Sequence, residues 1–301
     1  MNSMKAARSL LAVPATRRKM VEKALASEAD AVFLDLEDAV APDSKAAARK
    51  EVVRCVEELD WGGRPTLFRA NALDTSYFYR DLIEVVEGAG DSLDALMIPK
   101  VNRPEDLYAV SILLSQLELA TELENGRIKI EAQIESAEGL ANVDSIANAT
   151  DRLTALHFGP GDFAASMSMP QTSIGVMDEW DEAYPGHRFN YAMQRIVVAS
   201  RAADLRVLDG PVADYSDEEG LRRSCLIACS LGFDGKWCIH PAQIGIVNEV
   251  FSPTDREVEW AKKVVAAYEE ASAGGSGSVS VDGQMIDAAS IRMARTTLDL
   301  I

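Results

Sequence analysis

Ile128-Lys-Ile-Glu-Ala-Gln-Ile-Glu135 and Leu156-His-Phe-Gly-Pro-Gly-Asp162 are the two stretches whose reading decides the fold. Each is a short apolar run with a carboxylate at its exit, and the two runs follow one another as consecutive strands. In a parallel barrel the strand exits are where chemistry is done. Neither Cys nor His accompanies Glu135 and Asp162, so a metal held there is expected to be a hard, oxygen-loving ion, Mg2+ first and Mn2+ as its alternative.

Outward from this pair, short apolar runs alternate with amphipathic stretches along most of the chain, the pattern of repeated βα units and a parallel sheet. Eight strands are expected: Leu10–Val13, Ala31–Leu36, Thr66–Arg69, Ala95–Ile98, Ile128–Ile134, Leu153–Phe158, Arg206–Leu208 and Gly235–Ile239. Helices fit between them, for example Ser44–Leu59 with Ser44 as N-cap and Pro104–Leu119 with Pro104 in the first turn. Eight such units close into a (β/α)8 TIM barrel, with a doubly wound open sheet as the competitor. Polar residues follow nearly every strand: Thr16 and Arg17, Glu37 and Asp38, Arg69, Lys100, Glu135, Asp162, Asp209 and His240. An open sheet needs such residues only near its switch point, which favours the barrel.

The expected division is an α/β barrel over residues 1–250 and a different piece over 251–301. The latter reads as a charged helix to about Glu270, a flexible linker at Ala271–Ser278, a hairpin turning at Asp282-Gly283, and a last helix opened by Asp287. A hinge before a small ordered unit suggests a lid.

The net charge of -18 over 301 residues argues against nucleic-acid or anionic-membrane partners, which require a basic footprint. Against that field, Arg17, Arg18, Lys19 and Lys23 form a basic cluster after the first strand, either a solvated surface or a phosphate site beside a helix N-terminus. The four cysteines lack zinc-type spacing, and Cys225 and Cys229, at i,i+4 in an apolar helical stretch, read as small buried hydrophobes. The N-terminal apolar run is too short for a signal peptide's core and no stretch reaches the length of a membrane span, so a cytoplasmic location is expected.

Several residues carry two readings. Glu135 and Asp162 are either helix caps or a pair aimed at one point. In Asp35-Leu-Glu-Asp38, alternation sends Asp35 and Glu37 to one face, where they either pair with Lys45 or Arg49 or order a metal-bound water. Arg69 ends an apolar strand and must face carboxylates or an anionic ligand, where its donors suit a developing enolate oxygen. His157 reads as a core histidine and His240 as a structural end to the eighth strand. Asp287 is an N-cap or, carried on a lid, a general acid/base. The catalytic candidates are therefore Arg69, Glu37 and Asp287.

The runs Leu34-Asp-Leu-Glu-Asp-Ala-Val-Ala-Pro-Asp43, Met97-Ile-Pro-Lys-Val101, Ile134-Glu-Ser-Ala137, Gly161-Asp-Phe-Ala-Ala-Ser166, Leu208-Asp-Gly-Pro211 and Gly235-Lys-Trp-Cys-Ile-His-Pro241 resemble the CitE-like lyases, and within them the L-malyl-CoA/β-methylmalyl-CoA lyase group. The resemblance implies a TIM barrel with Mg2+ on Glu135 and Asp162 and Arg69 against the reacting oxygens. Coenzyme A phosphates would meet Thr16, Arg17 and Lys23. It also implies a lid whose Asp287 completes a neighbouring subunit's site in a homo-trimer or homo-hexamer. The implied reaction joins or parts an acyl-CoA and a small 2-oxo acid. A malyl-CoA thioesterase, a citramalyl-CoA lyase acting on pyruvate and a citryl-thioester lyase are the alternatives. One departure is Pro14-Ala-Thr-Arg17, where the family's usual turn has Gly in place of Ala15.

Overall fold

The computed structural model describes residues 7–183 and 187–301; the first six residues of the N-terminal segment lie outside them. Eight parallel strands close into a barrel in sequence order: β1 (Ser9–Pro14), β2 (Ala31–Asp35), β3 (Thr66–Arg69), β4 (Ala95–Ile98), β5 (Lys129–Ile134), β6 (Leu153–Phe158), β7 (Arg206–Asp209) and β8 (Gly235–Cys238). β8 pairs with β1 through Leu10 and Trp237, which closes the ring and excludes the open sheet.

Period-2 alternation sorts the strand residues into an interior and a helix-facing set. Leu10, Phe33, Leu67, Met97, Ala155 and Trp237 belong to one buried interior cluster. The next inward positions toward the strand exits are Asp35, Arg69 and Gln133, so the apolar core gives way to a charged layer at the mouth. Helices Lys45–Glu58 and Pro104–Ala120 lie where the sequence places them. Ser44 makes no side-chain cap bond, because Pro42–Ser44 already turns as a short 3-10 helix before the α-helix starts. Cys225 is buried as expected, but Cys229, four residues on, is exposed.

Backbone contacts divide the chain into two compact units, Met1–Asn248 and Glu249–Ile301. The smaller holds helix Asp255–Ala273, a hairpin of β9 (Val279–Val281) and β10 (Gln284–Ile286), and helix Ala288–Leu298. Ala261, Val264, Val281, Ile286 and Ala294 give it an apolar core of its own. The linker is shorter than the composition suggests, since Ala271–Ala273 continue the helix and only Gly274–Ser278 remain non-regular. Among the described residues no helix is long and apolar enough to cross a membrane.

Candidate active site

Asp35 and Arg69 end neighbouring strands, and their side chains meet as a two-bond fork, Nε and Nη2 each 2.8 Å from a carboxylate oxygen. The backbone N–H groups of Glu37 and Ala39 also donate to Asp35. Burial would raise the Asp35 carboxyl, but the Arg69 charge and these donors outweigh it and hold the group below the usual carboxylate range. The same exchange keeps Arg69 a cation: burial disfavours its charge, and Asp35 and Glu37 more than restore it.

The third donor edge of Arg69 faces the mouth. Its Nη1 lies 2.8 Å from Glu37 Oε2 and donates to Gln133 Oε1 at 3.4 Å. Lys100 Nζ sits 3.0 Å from the other Glu37 oxygen and 3.9 Å from Asp162 Oδ2. These contacts with Glu37 are at ion-pair distance but off hydrogen-bond alignment, so both its buried oxygens lack a hydrogen-bond partner among the described residues. Burial, with Asp38 nearby, raises the Glu37 carboxyl despite the two cations. The sequence suggested Lys45 or Arg49 as partners for these acids, and the structure corrects this. Lys45 donates instead to the carbonyls of Leu36 and Glu37, while Arg49 pairs with Asp81 and Glu84. Both stand on the helix outside the barrel and reach the turn's backbone or the neighbouring helix, not the interior face.

Glu135 follows β5 directly, and Asp162 lies in the first turn of helix Pro160–Ser166 after β6. Neither caps a helix. Ser136 caps the helix after Glu135 by accepting from the Gly139 N–H, and the helix holding Asp162 has no side-chain cap bond. Glu135 Oε1 accepts the Lys100 backbone N–H at 2.8 Å and Oε2 accepts from Gln133 Nε2. Gly159 lets the next strand exit come this close, since a Cβ there would collide with Glu135 Oε2. Burial, then the charges of Glu37 and Asp162, push the Glu135 carboxyl up to about 8.

Glu135 and Asp162 share a cavity of about 670 Å³ with Asp35, Asp38, Arg69 and Gln133, whose lining also includes the apolar Met169 and Ile174. Among the described residues no three His, Cys, Asp or Glu side chains are grouped to hold a metal. The donor set that is present, two mutually repelling carboxylates with room around them, fits a hard divalent ion that keeps several positions for water and substrate oxygens.

Lys100 and Gln133 are members of this site whose roles the sequence reading did not assign. Gln133 was legible, two residues before Glu135 on one strand face. Lys100 holds a left-handed backbone, φ 53°, which turns its N–H toward Glu135 while its ammonium reaches Glu37; nothing in a lysine announces that.

The remaining candidates divide. Thr16, Arg17 and Lys23 are exposed and do not line the cavity, although Pro14 does. Arg18 is drawn into ion pairs with Glu22 and Glu58. No residue of Pro14–Arg17 has a positive φ, and Ala15 is fully buried with its N–H on the Asp35 carbonyl, so this turn does not need glycine. Asp209 pairs with Lys236 and not with the site, and His240 caps the 3-10 turn after β8. In the smaller unit Asp287 caps helix Ala288–Leu298. Its Oδ1 accepts from Ala289 N, Ser290 N and Ser290 Oγ at 2.9–3.1 Å, and these bonds hold the carboxyl below its ordinary value.

A strongly held arginine, a carboxylate pair open to a divalent ion and an apolar wall suit the making or breaking of a carbon–carbon bond beside a carbonyl. Similar proteins agree. The chain is 43% identical to an L-malyl-CoA/beta-methylmalyl-CoA lyase of Cereibacter sphaeroides over 93% of its length and 90% of the relative's. It is 38% identical to a (3S)-malyl-CoA thioesterase of the same species, covering 97% and 93%. Among solved structures, CitE of Mycobacterium tuberculosis, in complex with magnesium, acetoacetate and coenzyme A, matches with a TM-score of 0.77 at 29% identity, over 97% of each chain. The family description HpcH/HpaI aldolase/citrate lyase matches residues 8–241, from the start of β1 past β8, and with these relatives it confirms what the motifs resemble: the chain belongs to the HpcH/HpaI aldolase/citrate lyase family.

Proposed function

We propose that this protein catalyses the reversible, Mg2+-dependent Claisen-type cleavage of a 3-hydroxyacyl-CoA, malyl-CoA or β-methylmalyl-CoA, into acetyl-CoA or propionyl-CoA and glyoxylate. The observation that carries the proposal is the convergence of Arg69, Glu135 and Asp162 on one cavity, together with the lyase relative. Glu135 and Asp162 would hold the ion, which when bound supplies Lewis-acid polarisation of the substrate's hydroxyl or carbonyl oxygen.

The chain's own residues do the rest. Arg69, fixed by Asp35, presents Nη1 to the enolate oxygen that develops on the thioester. Glu37, held between that donor edge and Lys100, orders water at the mouth. Thr16, Arg17 and Lys23 meet the coenzyme A phosphates. Asp287 moves the proton at the enolate carbon, taking it during condensation and returning it on cleavage. Its Oδ1 is committed to the helix, and Oδ2 accepts no hydrogen bond among the described residues. It acts in a neighbouring subunit of a homo-trimer or homo-hexamer.

Mass spectrometry of the protein with Mg2+, acetyl-CoA and glyoxylate, beside an EDTA control and a propionyl-CoA arm, tests the reaction. Malyl-CoA or its methyl homologue should accumulate only with metal. Free malate plus CoA would instead give the thioesterase chemistry of the other relative. Product from pyruvate alone would make it a citramalyl-CoA lyase, and turnover confined to citryl thioesters would make it citrate-lyase-like.

The state of Glu135 gives a second check. A folded-state value near 8 against an ordinary 4.5 means that the metal-free protein holds a proton there that the unfolded chain has lost. Metal-free stability from this group is therefore greatest at low pH and declines as pH rises from 4.5 toward 8. Mg2+ must displace that proton, so calorimetry in buffers of different ionisation heats should find roughly one proton released per ion at pH 7 and almost none above pH 9. Binding at pH 7 with no release would remove Glu135 as a ligand.

A further inference from the structure

Below Arg69 the barrel interior contains a buried polar chain that the proposed reaction does not employ. Glu131, His157 and Trp237, from β5, β6 and β8, are 3%, 0% and 3% exposed. Trp237 Nε1 lies 2.8 Å from His157 Nδ1, and His157 Nε2 lies 2.8 Å from Glu131 Oε2. An indole N–H can only donate, so His157 Nδ1 accepts and the ring's proton sits on Nε2, donated to Glu131. Arg206 takes the other Glu131 oxygen. Burial alone would raise the Glu131 carboxyl; Arg206 and His157 outweigh it and hold the group at about 2, a permanent carboxylate.

The upper end of the chain touches the site. The Arg69 guanidinium carbon lies 5.4 Å from the centre of the Trp237 ring and 5.8 Å from that of Phe33, and the two rings are 4.7 Å apart. Asp35 fixes one edge of the guanidinium, while these rings fix its face. Leucine and phenylalanine would fill the same space without burying an acid, a histidine and an indole N–H, and apolar replacements of buried polar groups are often neutral or stabilising. A polar chain at this place is a device for orientation.

We infer that Glu131 and His157 lock the rotation of the Trp237 indole and, through it, the plane of the Arg69 guanidinium. His157 and Trp237 are thus positioning residues for the oxygen-stabilising arginine, an assignment that rests on the role proposed for Arg69. Misplacement of a catalytic group by a fraction of an ångström costs rate and not ground-state affinity.

The test compares His157→Leu, Trp237→Phe, His157→Gln and Arg69→Lys in the full-length protein, well below each thermal midpoint. His157→Leu and Trp237→Phe should each lower kcat by about tenfold or more, with KM for the acyl-CoA and Mg2+ affinity held within about twofold. His157→Gln, whose amide can accept from the indole and donate to Glu131, should recover kcat to within about threefold of wild type. Unchanged kcat in the first two, or equal losses in the Leu and Gln variants, would overturn the inference. Should His157→Leu not fold, Trp237→Phe against His157→Gln decides it. Full turnover by Arg69→Lys would be a different failure, that of the arginine's own role.

Discussion

Replacing Arg69 with methionine should reduce turnover by about 10²–10³-fold, the usual effect of losing a donor aimed at a developing oxyanion. It should also destabilise the fold by roughly 3–5 kcal/mol, because Asp35 would remain buried beside Glu37 without its countercharge. The two effects can be separated. Asp35→Asn combined with Arg69→Met removes the orphaned charge while keeping the acceptor for the Glu37 N–H, so denaturant unfolding should show most of the stability regained. Turnover should not return. Recovery of the rate together with stability would mean that Arg69 serves only the fold, and so would a single variant that turns over within about threefold of wild type.

Asp287→Asn should be the opposite case, a large loss of rate with an intact protein. Asparagine is as good an N-cap as aspartate, so helix Ala288–Leu298 keeps its start and the thermal midpoint should not move. Loss of the proton-transfer group should cost about 10²–10⁴-fold in turnover and abolish exchange of the acetyl-CoA methyl protons with solvent. Binding of the thioester should be retained. If the group acts across subunits, mixed oligomers of Asp287→Asn and Arg69→Lys chains should regain activity that neither parent has, since some sites then contain both native residues. Persistent proton exchange in Asp287→Asn would remove the residue from the reaction.

The barrel was legible because each strand is a compact apolar run whose period matches a buried strand; Thr66–Arg69, Ala95–Ile98 and Leu153–Phe158 come out with the boundaries read from sequence. Glu135, Asp162 and Arg69 were legible as charges at the ends of such runs. Partnerships were not, because they depend on how far each helix is rotated about its axis: Lys45 and Arg49 look equivalent to other near neighbours of Asp35 until the helix is packed. Asp209 was placed among the exits although its side chain turns to Lys236 on the outward face, a difference of one residue in register. Ala271–Ala273 were assigned to a linker by their small side chains, which suit a helix end equally well.

Charge at the barrel mouth has a further consequence, for the order in which ligands arrive. With the exposed Asp38 left aside, Asp35, Glu37, Glu135 and Asp162 face Arg69 and Lys100 among the described residues, so the site is singly negative while Glu135 keeps its proton and doubly negative once that proton is displaced. A 2-oxo acid is itself an anion and is repelled from such a site, whereas a divalent cation brings the sum to zero. Under the proposed reaction the ion should therefore bind before the oxo acid, and Lys100, 3.0 Å from Glu37 and 3.9 Å from Asp162, is the counter-charge shared by both acids until it arrives.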